Sequence, residues 1–167
     1  MSAAKAEPSF SETLEANEQE TRRWQHWFER RPVELLGLSL SVMAIKVREF
    51  LLHIFAVELR YAERLTSSAI TPYHSLPKDS VRELFAVGAK ARELYCDYLS
   101  RATDPDLASV MEFPTRTSGV LRPSKRKTFA HAMLHGVRYW GQLATVQRER
   151  GHGTDWGHDF LLSDVMP

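Results

Sequence analysis

Apolar side chains recur at the spacing of an α-helix over most of this chain. Four segments carry the pattern, at about residues 11–30, 42–67, 81–101 and 125–150. Alternating Val, Ile and Thr positions, which would predict strands, are nearly absent. The pattern therefore predicts an all-α fold, a four-helix bundle.

Residues that favour helix ends flank these segments. Pro32 follows the first segment, while Gly151 and Gly153 follow the last. The second segment, VMAIKVREFLLHIFAVELRYAERL, is apolar around most of its circumference, which is typical of a helix at the centre of a bundle. The candidate N-caps are Ser9 or Ser11 for the first helix, Asp79 or Ser80 for the third, and Ser124 for the fourth.

Long connections join the second helix to the third and the third to the fourth. The first connection, TSSAITPYHSLP, contains two prolines. The second, at residues 103–122, contains DP, FP, TSG and RP turn signals and predicts an ordered loop or small hairpin. We expect residues 1–10 to be a frayed leader, residues 11–167 to form one domain, and the tail from residue 151 to be irregular.

Composition restricts the class of protein. The 167 residues include 22 Lys and Arg against 21 Asp and Glu, a formal net charge of +1, which disfavours nucleic-acid binding. Cys96 is the single cysteine, so an intrachain disulfide is ruled out and a reducing compartment is favoured. The longest apolar run, at residues 35–45, is much shorter than the roughly 20 residues that span a bilayer. We expect a cytoplasmic protein with no membrane partner.

Two histidines on the fourth predicted helix are the sharpest chemical feature. His131 and His135 are four positions apart, so their imidazoles project from one face, as two ligands of one metal must. They lie in a narrow polar stripe with Thr128, Arg138 and Gln142, inside a wide apolar arc. A solvated strip and a polar cavity within the bundle both fit this pattern.

His53 on the second predicted helix supplies a third imidazole. It lies in another polar stripe, with Glu49, Arg60 and Arg64. A lone histidine in such a position is more often a hydrogen-bonded core residue than a ligand. Three imidazoles from two facing helices would instead suit Zn²⁺, Ni²⁺ or Fe²⁺, with positions left open for water or substrate.

Two segments of the chain resemble a known family. LLHIFAVELRYAERL and HAMLHGVRYWGQLATVQRERGH are similar to the DinB-like, or YfiT-like, four-helix-bundle metalloproteins, whose last long helix carries a run close to HxxxHxxxHxGQL. The match includes Gly141, Gln142 and Leu143 and extends over most of the chain. The resemblance implies a divalent metal held by one histidine of the second helix, matching His53, and two histidines of the fourth.

The sequence departs from that family pattern at Tyr139, which occupies the place of the ligand just before the GQ dipeptide. Three outcomes follow: ligation by His53, His131 and His135; ligation by His53, His135 and a Tyr139 phenolate; or a weakened, sometimes empty site. We favour the first, because neutral imidazole binds Zn²⁺ or Ni²⁺ near pH 7, whereas a phenol must first lose a proton with a pKa of about 10.

The resemblance also implies an activity. Relatives with assigned activities include thiol S-transferases and a maleylpyruvate isomerase, so we expect a metal-dependent transferase or isomerase that uses a low-molecular-weight thiol. A hydrolase is the less favoured alternative. Arg138, Tyr139 and Lys127 are the candidate catalytic residues, and Arg138 or Lys127 would hold the anionic group of a small-molecule substrate.

The start of the fourth helix is unusually basic. Lys125, Arg126 and Lys127 follow Arg122 where the helix dipole already disfavours cations. Long side chains extending into water and an anion site at the helix N-terminus both explain this placement.

A non-catalytic role is the alternative to an enzyme. The chain would then be a stress-related ligand-binding or structural protein that forms a homodimer and has a degenerate or empty metal site. Trp140 and the apolar arc of the fourth helix could serve a homodimer contact as easily as an internal core.

Overall fold

A computed structural model of the protein describes residues 9–40, 45–115 and 117–165. Residues 1–8 of the predicted leader (residues 1–10), the predicted helical residues 42–44, and Arg116 in the second connection lie outside these ranges. The predicted all-α four-helix bundle is confirmed. Its long helices are α1 (Phe10–Glu29), α2 (Val47–Leu65), α3 (Val81–Arg101) and α5 (Lys125–Glu149), with the short α4 (Asp104–Ala108) before the last.

Short elements fill the connections between these helices. Two antiparallel hairpins are formed by β1 (Ser39–Leu40) with β2 (Ile45–Lys46), and by β3 (Phe113–Thr115) with β4 (Gly119–Leu121). The predicted small hairpin between the third and fourth long helices is thus confirmed, and α4 precedes it. Turns of 3₁₀ helix lie at Val33–Gly37, Tyr73–Ser75 and Phe160–Leu162.

Three serines begin the helices as N-caps. Each side-chain oxygen accepts a hydrogen bond from the backbone N–H three residues ahead, at 3.2 Å in every case. In α1 and α3 a glutamate returns the bond to the cap backbone, which completes a capping box. The caps are Ser9, Ser80 and Ser124, so Ser11 and Asp79 are not used.

The second helix begins later than its apolar pattern predicted. It begins at Val47, and the prediction of a start at residue 42 is wrong for Ile45 and Lys46, which are extended and pair with β1. The Val47 N–H donates to the Leu38 carbonyl at 2.9 Å, and the Glu49 carboxylate accepts from the Lys46 N–H at 2.9 Å. Apolar spacing alone does not reveal this junction, because the strand and the helix both bury apolar residues.

The core lies where α2 is covered by the other long helices. Trp24 of α1 stacks on Trp140 of α5, with ring centroids 5.7 Å apart, and Phe55 of α2 packs against Trp140. Gly88 of α3 permits a close approach, because a Cβ there would come within 2.6 Å of the Phe55 ring. Trp140 is 2% exposed and therefore belongs to the core and not to a dimer surface.

The tail after α5 is held against α1. Glu20 accepts from the Trp156 indole N–H at 3.1 Å and lies 2.5 Å from His158 Nδ1. The His158 ring stacks on Trp24. The tail is irregular, as predicted, apart from one 3₁₀ turn. No helix within the described ranges combines the length and apolar character needed to cross a membrane.

Candidate metal centre

Three rings meet where α2 and α5 pack against each other. The ring centroid of His53 is 5.2 Å from that of His135 and 5.0 Å from that of Tyr139. The rings of His135 and Tyr139, one helical turn apart on α5, are separated by 4.3 Å. The phenyl ring of Phe50 lies 5.4 Å from Tyr139 and forms an apolar wall beside the cluster. We call His53, His135 and Tyr139 the ring triangle.

His131 lies at the edge of the ring triangle. Its ring centroid is 6.2 Å from that of His135, and the ring packs edge-on against Tyr61 at 5.3 Å. Two imidazoles that bind one tetrahedral Zn²⁺ through bonds of about 2.1 Å have ring centres about 5 Å apart. The separation of His53 and His135 fits this spacing, whereas that of His131 and His135 is wider.

The arrangement of possible ligands differs from the favoured three-histidine set. Among the residues that the structure describes, no group of three or more His, Cys, Asp or Glu side chains is placed to hold a metal ion. Tyrosine is not among those four residue types. The three rings that lie close together are two imidazoles and one phenol, and these residues are those of the second of the three ligand sets considered from sequence.

His135 has the electrostatics of a neutral ligand. Burial, together with the nearby His53, His131 and Arg138, lowers its pKa from 6.5 to about 3. The ring is thus uncharged near neutral pH, which is the form that binds metals. Its Nδ1 atom is buried and has no hydrogen-bond partner among the described residues. A buried imidazole nitrogen that lacks a hydrogen-bond partner and lies near other possible donors is suited to bind a divalent metal. The residues of the ring triangle therefore fit a divalent metal.

The candidate catalytic cations lie at different distances from the ring triangle. The Arg138 guanidinium carbon is 5.6 Å from the Tyr139 ring centroid, so Arg138 borders the centre. Lys127 is exposed and lies one turn before His131, away from the three rings. Lys125 and Arg122 are neutralised by Asp106 and Glu112, at 2.5 and 2.6 Å. Two of the four basic residues at the start of α5 are therefore paired with carboxylates.

A buried polar pair, Asn17 and Glu58, packs beside Gly136 of α5. Glu58 of α2 is 4% exposed and accepts from the Asn17 side-chain N–H at 3.1 Å. Burial raises the pKa of Glu58 from 4.5 to about 7, against the opposing effects of Asn17 and Arg92. A Cβ at Gly136, next to His135, would lie 2.5 Å from Asn17 Oδ1 and 2.9 Å from Glu58 Oε1. The glycine therefore lets α5 approach this pair.

Comparison with known proteins identifies the family. A model of the DinB family matches residues 1–162, so this chain belongs to the DinB family. The resemblance carried by the α2 and α5 segments is thereby confirmed.

Two solved structures share the fold. A DinB-like protein from Bacillus cereus ATCC 10987 is 18% identical, with a TM-score of 0.61 over 83% of this chain and 91% of that protein. TT2238, a four-helix bundle protein, is 21% identical, with a TM-score of 0.57 over 82% of this chain and 99% of that protein. No curated protein matches this chain.

Proposed function

We propose that this DinB-family protein is a metal-dependent enzyme whose centre is the ring triangle. The observation that carries the proposal is the convergence of His53, His135 and Tyr139, with ring centroids 4.3–5.2 Å apart, around a buried unpartnered imidazole nitrogen. Such a set of nitrogen and oxygen donors suits Zn²⁺, Ni²⁺ or Fe²⁺.

His53 and His135 would hold the metal, with Tyr139 as the third donor and His131 as the alternative third donor. When bound, the metal supplies Lewis acidity that activates a thiol or a substrate oxygen. Two imidazoles and one phenol leave positions open for substrate, which is typical of catalytic sites and not of structural ones.

The side chains around the ring triangle have distinct tasks under this proposal. The Phe50 ring excludes water from one side of Tyr139. Arg138 places a positive charge beside the Tyr139 ring, where it would attract an anionic substrate. Tyr139 would supply an oxygen donor to the metal.

The reaction class follows from family resemblance. We propose that the enzyme transfers a group to a low-molecular-weight thiol, or uses such a thiol to assist an isomerisation. The proposed substrate is an anionic small molecule, and the proposed compartment is the cytoplasm. Hydrolysis is the less favoured reaction. The exposed, unpaired Cys96 supports a reducing compartment.

Calorimetric titration of the metal-free protein with Zn²⁺ and Ni²⁺ tests the metal centre. We expect one metal per chain for the wild type. The affinity of His135→Ala should be weaker by about a hundredfold or more, because a ligand is removed. His26→Ala is the matched control, since His26 is an exposed histidine of α1, and it should bind like the wild type. Absence of binding by the wild type, or equal binding by His135→Ala, would remove the proposal.

A non-catalytic ligand-binding function is the second candidate, and an apolar groove favours it. The groove encloses a cavity of about 340 Å³ between α1, α5 and the tail. Met133 and Trp140 form its floor, while Leu134, Val137 and Phe160 line it and are 68%, 59% and 48% exposed. A cavity of this size and character suits an apolar small molecule.

Binding of the apolar dye anilinonaphthalene sulfonate tests this second function. Saturable binding by the wild type and its loss in Val137→Glu would support it, because a charge would enter the apolar groove. Val120→Glu is the matched control, since Val120 is also 59% exposed but lies in β4. Equal dye binding by both variants would contradict this function.

The predicted homodimer is proposed on the same face. Leu134 and Val137 expose apolar surface that a second copy would bury. Light scattering on the wild type should give twice the mass of the chain, and the Val137→Glu variant should give the mass of a single chain. A monomeric wild type would contradict this assembly.

A further inference from the structure

Two arginines on α2 have no acidic partner in the part of the chain that the structure describes. Arg60 and Arg64 are one turn apart, and neither forms an ion pair within the described ranges. Several other basic residues of this nearly neutral chain form ion pairs with carboxylates, whereas others, such as Lys127 and Arg138, form none with a described residue. These include Arg22 and Arg92 with Glu18, Arg101 with Asp97, Arg122 with Glu112, and Lys125 with Asp106.

The acidic side chains nearest in sequence on α2 are directed elsewhere. Glu58 is bonded to Asn17 inside the bundle. Glu63 is 2% exposed and accepts from the Thr71 N–H at 2.9 Å, with Lys90 also in contact. The positive charge of Arg60 and Arg64 is therefore not compensated from their own helix.

Arg64 is held in an orientation that leaves its donors free. Its guanidinium carbon is 4.0 Å from the Phe113 ring centroid and 5.7 Å from that of Tyr61. A guanidinium stacked on a ring keeps its N–H donors pointing outward in its own plane, where they match the two oxygens of an oxyanion. No hydrogen bond from this side chain to a described residue is formed.

The charge on Arg64 is only partly stabilised by the protein. Its place in the last turn of α2 and its ring contacts favour a cation, but neither supplies a hydrogen-bond acceptor. Partial burial, and then the charge of Arg60, lower the pKa of Arg64. A bound oxyanion would supply the missing acceptor and would also offset the repulsion between the two arginines.

Contacts lead from Arg64 to the ring triangle. The Tyr61 ring contacts both the Arg64 guanidinium and His131, and His131 is the neighbour of His135. A rise of 1.5 Å per residue places Arg64 about 16 Å along α2 from His53. An extended small molecule of that length could reach from one end to the other.

We propose that Arg64, with Arg60 and His131 beside it, forms a subsite for the oxyanion group, a carboxylate or phosphate, of an extended small-molecule ligand. The part that places the other end of the ligand at the ring triangle rests on the proposed function. In this subsite, His131 lies beside the anionic end of the ligand and does not bind the metal. The β3–β4 hairpin also contributes to the subsite, because Phe113 supplies the ring that orients Arg64.

Anion titrations of the metal-free protein, followed by heteronuclear NMR, test the subsite. The probes are sodium succinate and sodium phosphate, with sodium chloride at equal ionic strength as the reference. We expect saturable shifts at Tyr61, Arg64, Phe113 and His131. Arg64→Gln should weaken binding by about tenfold or more, and Arg64→Lys by less, because lysine keeps the charge without the two-pronged geometry.

Arg101→Gln is the matched control, since it removes one exposed arginine of α3 and should leave anion affinity unchanged. Stronger binding of succinate or of phosphate identifies the oxyanion group. No saturable shift with either anion, or equal losses in Arg64→Gln and Arg101→Gln, would overturn the subsite. If Arg64→Gln does not fold, the Arg64→Lys variant carries the test: weaker anion binding by the folded variant supports the role of the guanidinium, and unchanged binding contradicts it.

Metal titrations separate this subsite from the proposed function. Arg64→Gln should bind Zn²⁺ as the wild type does, because Arg64 is about 16 Å along α2 from His53. A wild type that binds succinate but no metal would refute the metal centre and leave the subsite standing. Metal binding without anion binding would refute the subsite alone.

Discussion

At the scale of single residues, the proposed metal centre depends on Tyr139. The resemblance places a histidine ligand at this position, and the structure places the phenol ring 4.3 Å from His135 and 5.0 Å from His53. Sequence reasoning favoured His131 because a phenol gives up its proton reluctantly. It could not foresee that Tyr61 would take His131 as a ring partner, since that contact joins two helices.

Replacement of Tyr139 should separate these ligand sets. We expect Tyr139→Phe to weaken Zn²⁺ affinity by about tenfold or more, because one donor is lost, and His131→Ala to change it far less. Tyr139→His should strengthen binding, because it restores a neutral imidazole. Calorimetric dissociation constants provide the measurement, and a larger loss in His131→Ala than in Tyr139→Phe would favour the three-histidine set.

Glu58 should make stability depend on pH. Its pKa rises from 4.5 to about 7 on folding, so between these values the folded protein holds the proton more tightly than the unfolded chain does. The free energy of unfolding therefore falls as pH rises through this window, by on the order of 3 kcal/mol from this group.

Glu58→Gln removes the ionisation and should be more stable than the wild type above about pH 7, with a smaller difference below about pH 4.5. Urea unfolding across this range measures the difference between the two proteins. Glu15→Gln, an exposed change on α1, should follow the wild type at every pH. A difference between Glu58→Gln and the wild type that does not vary with pH would contradict burial of an ionisable Glu58.

At the scale of elements, close packing of α5 against α1 and α2 depends on Gly136. A Cβ there meets Asn17 Oδ1 and Glu58 Oε1, which are buried and therefore cannot move into solvent. We expect Gly136→Ala to lower the free energy of unfolding by about 1–3 kcal/mol, despite the better helix propensity of alanine.

Gly141→Ala provides a control on the same helix. Apart from the adjacent residues and the nearby backbone of α5, no heavy atom of the described residues lies within 4 Å of a Cβ at that position, so the change should stabilise α5 by up to about 1 kcal/mol. Thermal unfolding followed by circular dichroism measures both variants. Equal stability changes in the two would contradict the close approach at Gly136.

Helix existence was predictable because the signals are local. Three serine caps and a helix-period apolar pattern gave the long helices within a few residues at each end. The predicted start of α2 was wrong, because apolar spacing does not determine where this helix begins. Its start is determined by the pairing of β2 with β1 and by the hydrogen bond from the Val47 N–H to the Leu38 carbonyl. The relation of Arg64 to Phe113 was equally invisible, since it depends on how a hairpin folds back onto α2.

At the scale of the whole molecule, the two sides of α5 face different parts of the structure. One side carries His131, His135 and Tyr139 toward α2, and the other lines the apolar groove with Leu134 and Val137. The bundle and its DinB-family membership followed from sequence, because the α2 and α5 segments carry the family pattern. The groove was not predicted from sequence, because the tail closes it. The tail is held against α1 by contacts of Glu20 with Trp156 and His158.

Anomalous diffraction from crystals grown with Zn²⁺ tests the central claim most directly. We predict one anomalous peak per chain within about 2.1 Å of a nitrogen of His53 and of His135, with the Tyr139 oxygen as the next ligand. A peak bound elsewhere, or no peak beside these two histidines in crystals soaked with excess Zn²⁺, would contradict the metal centre.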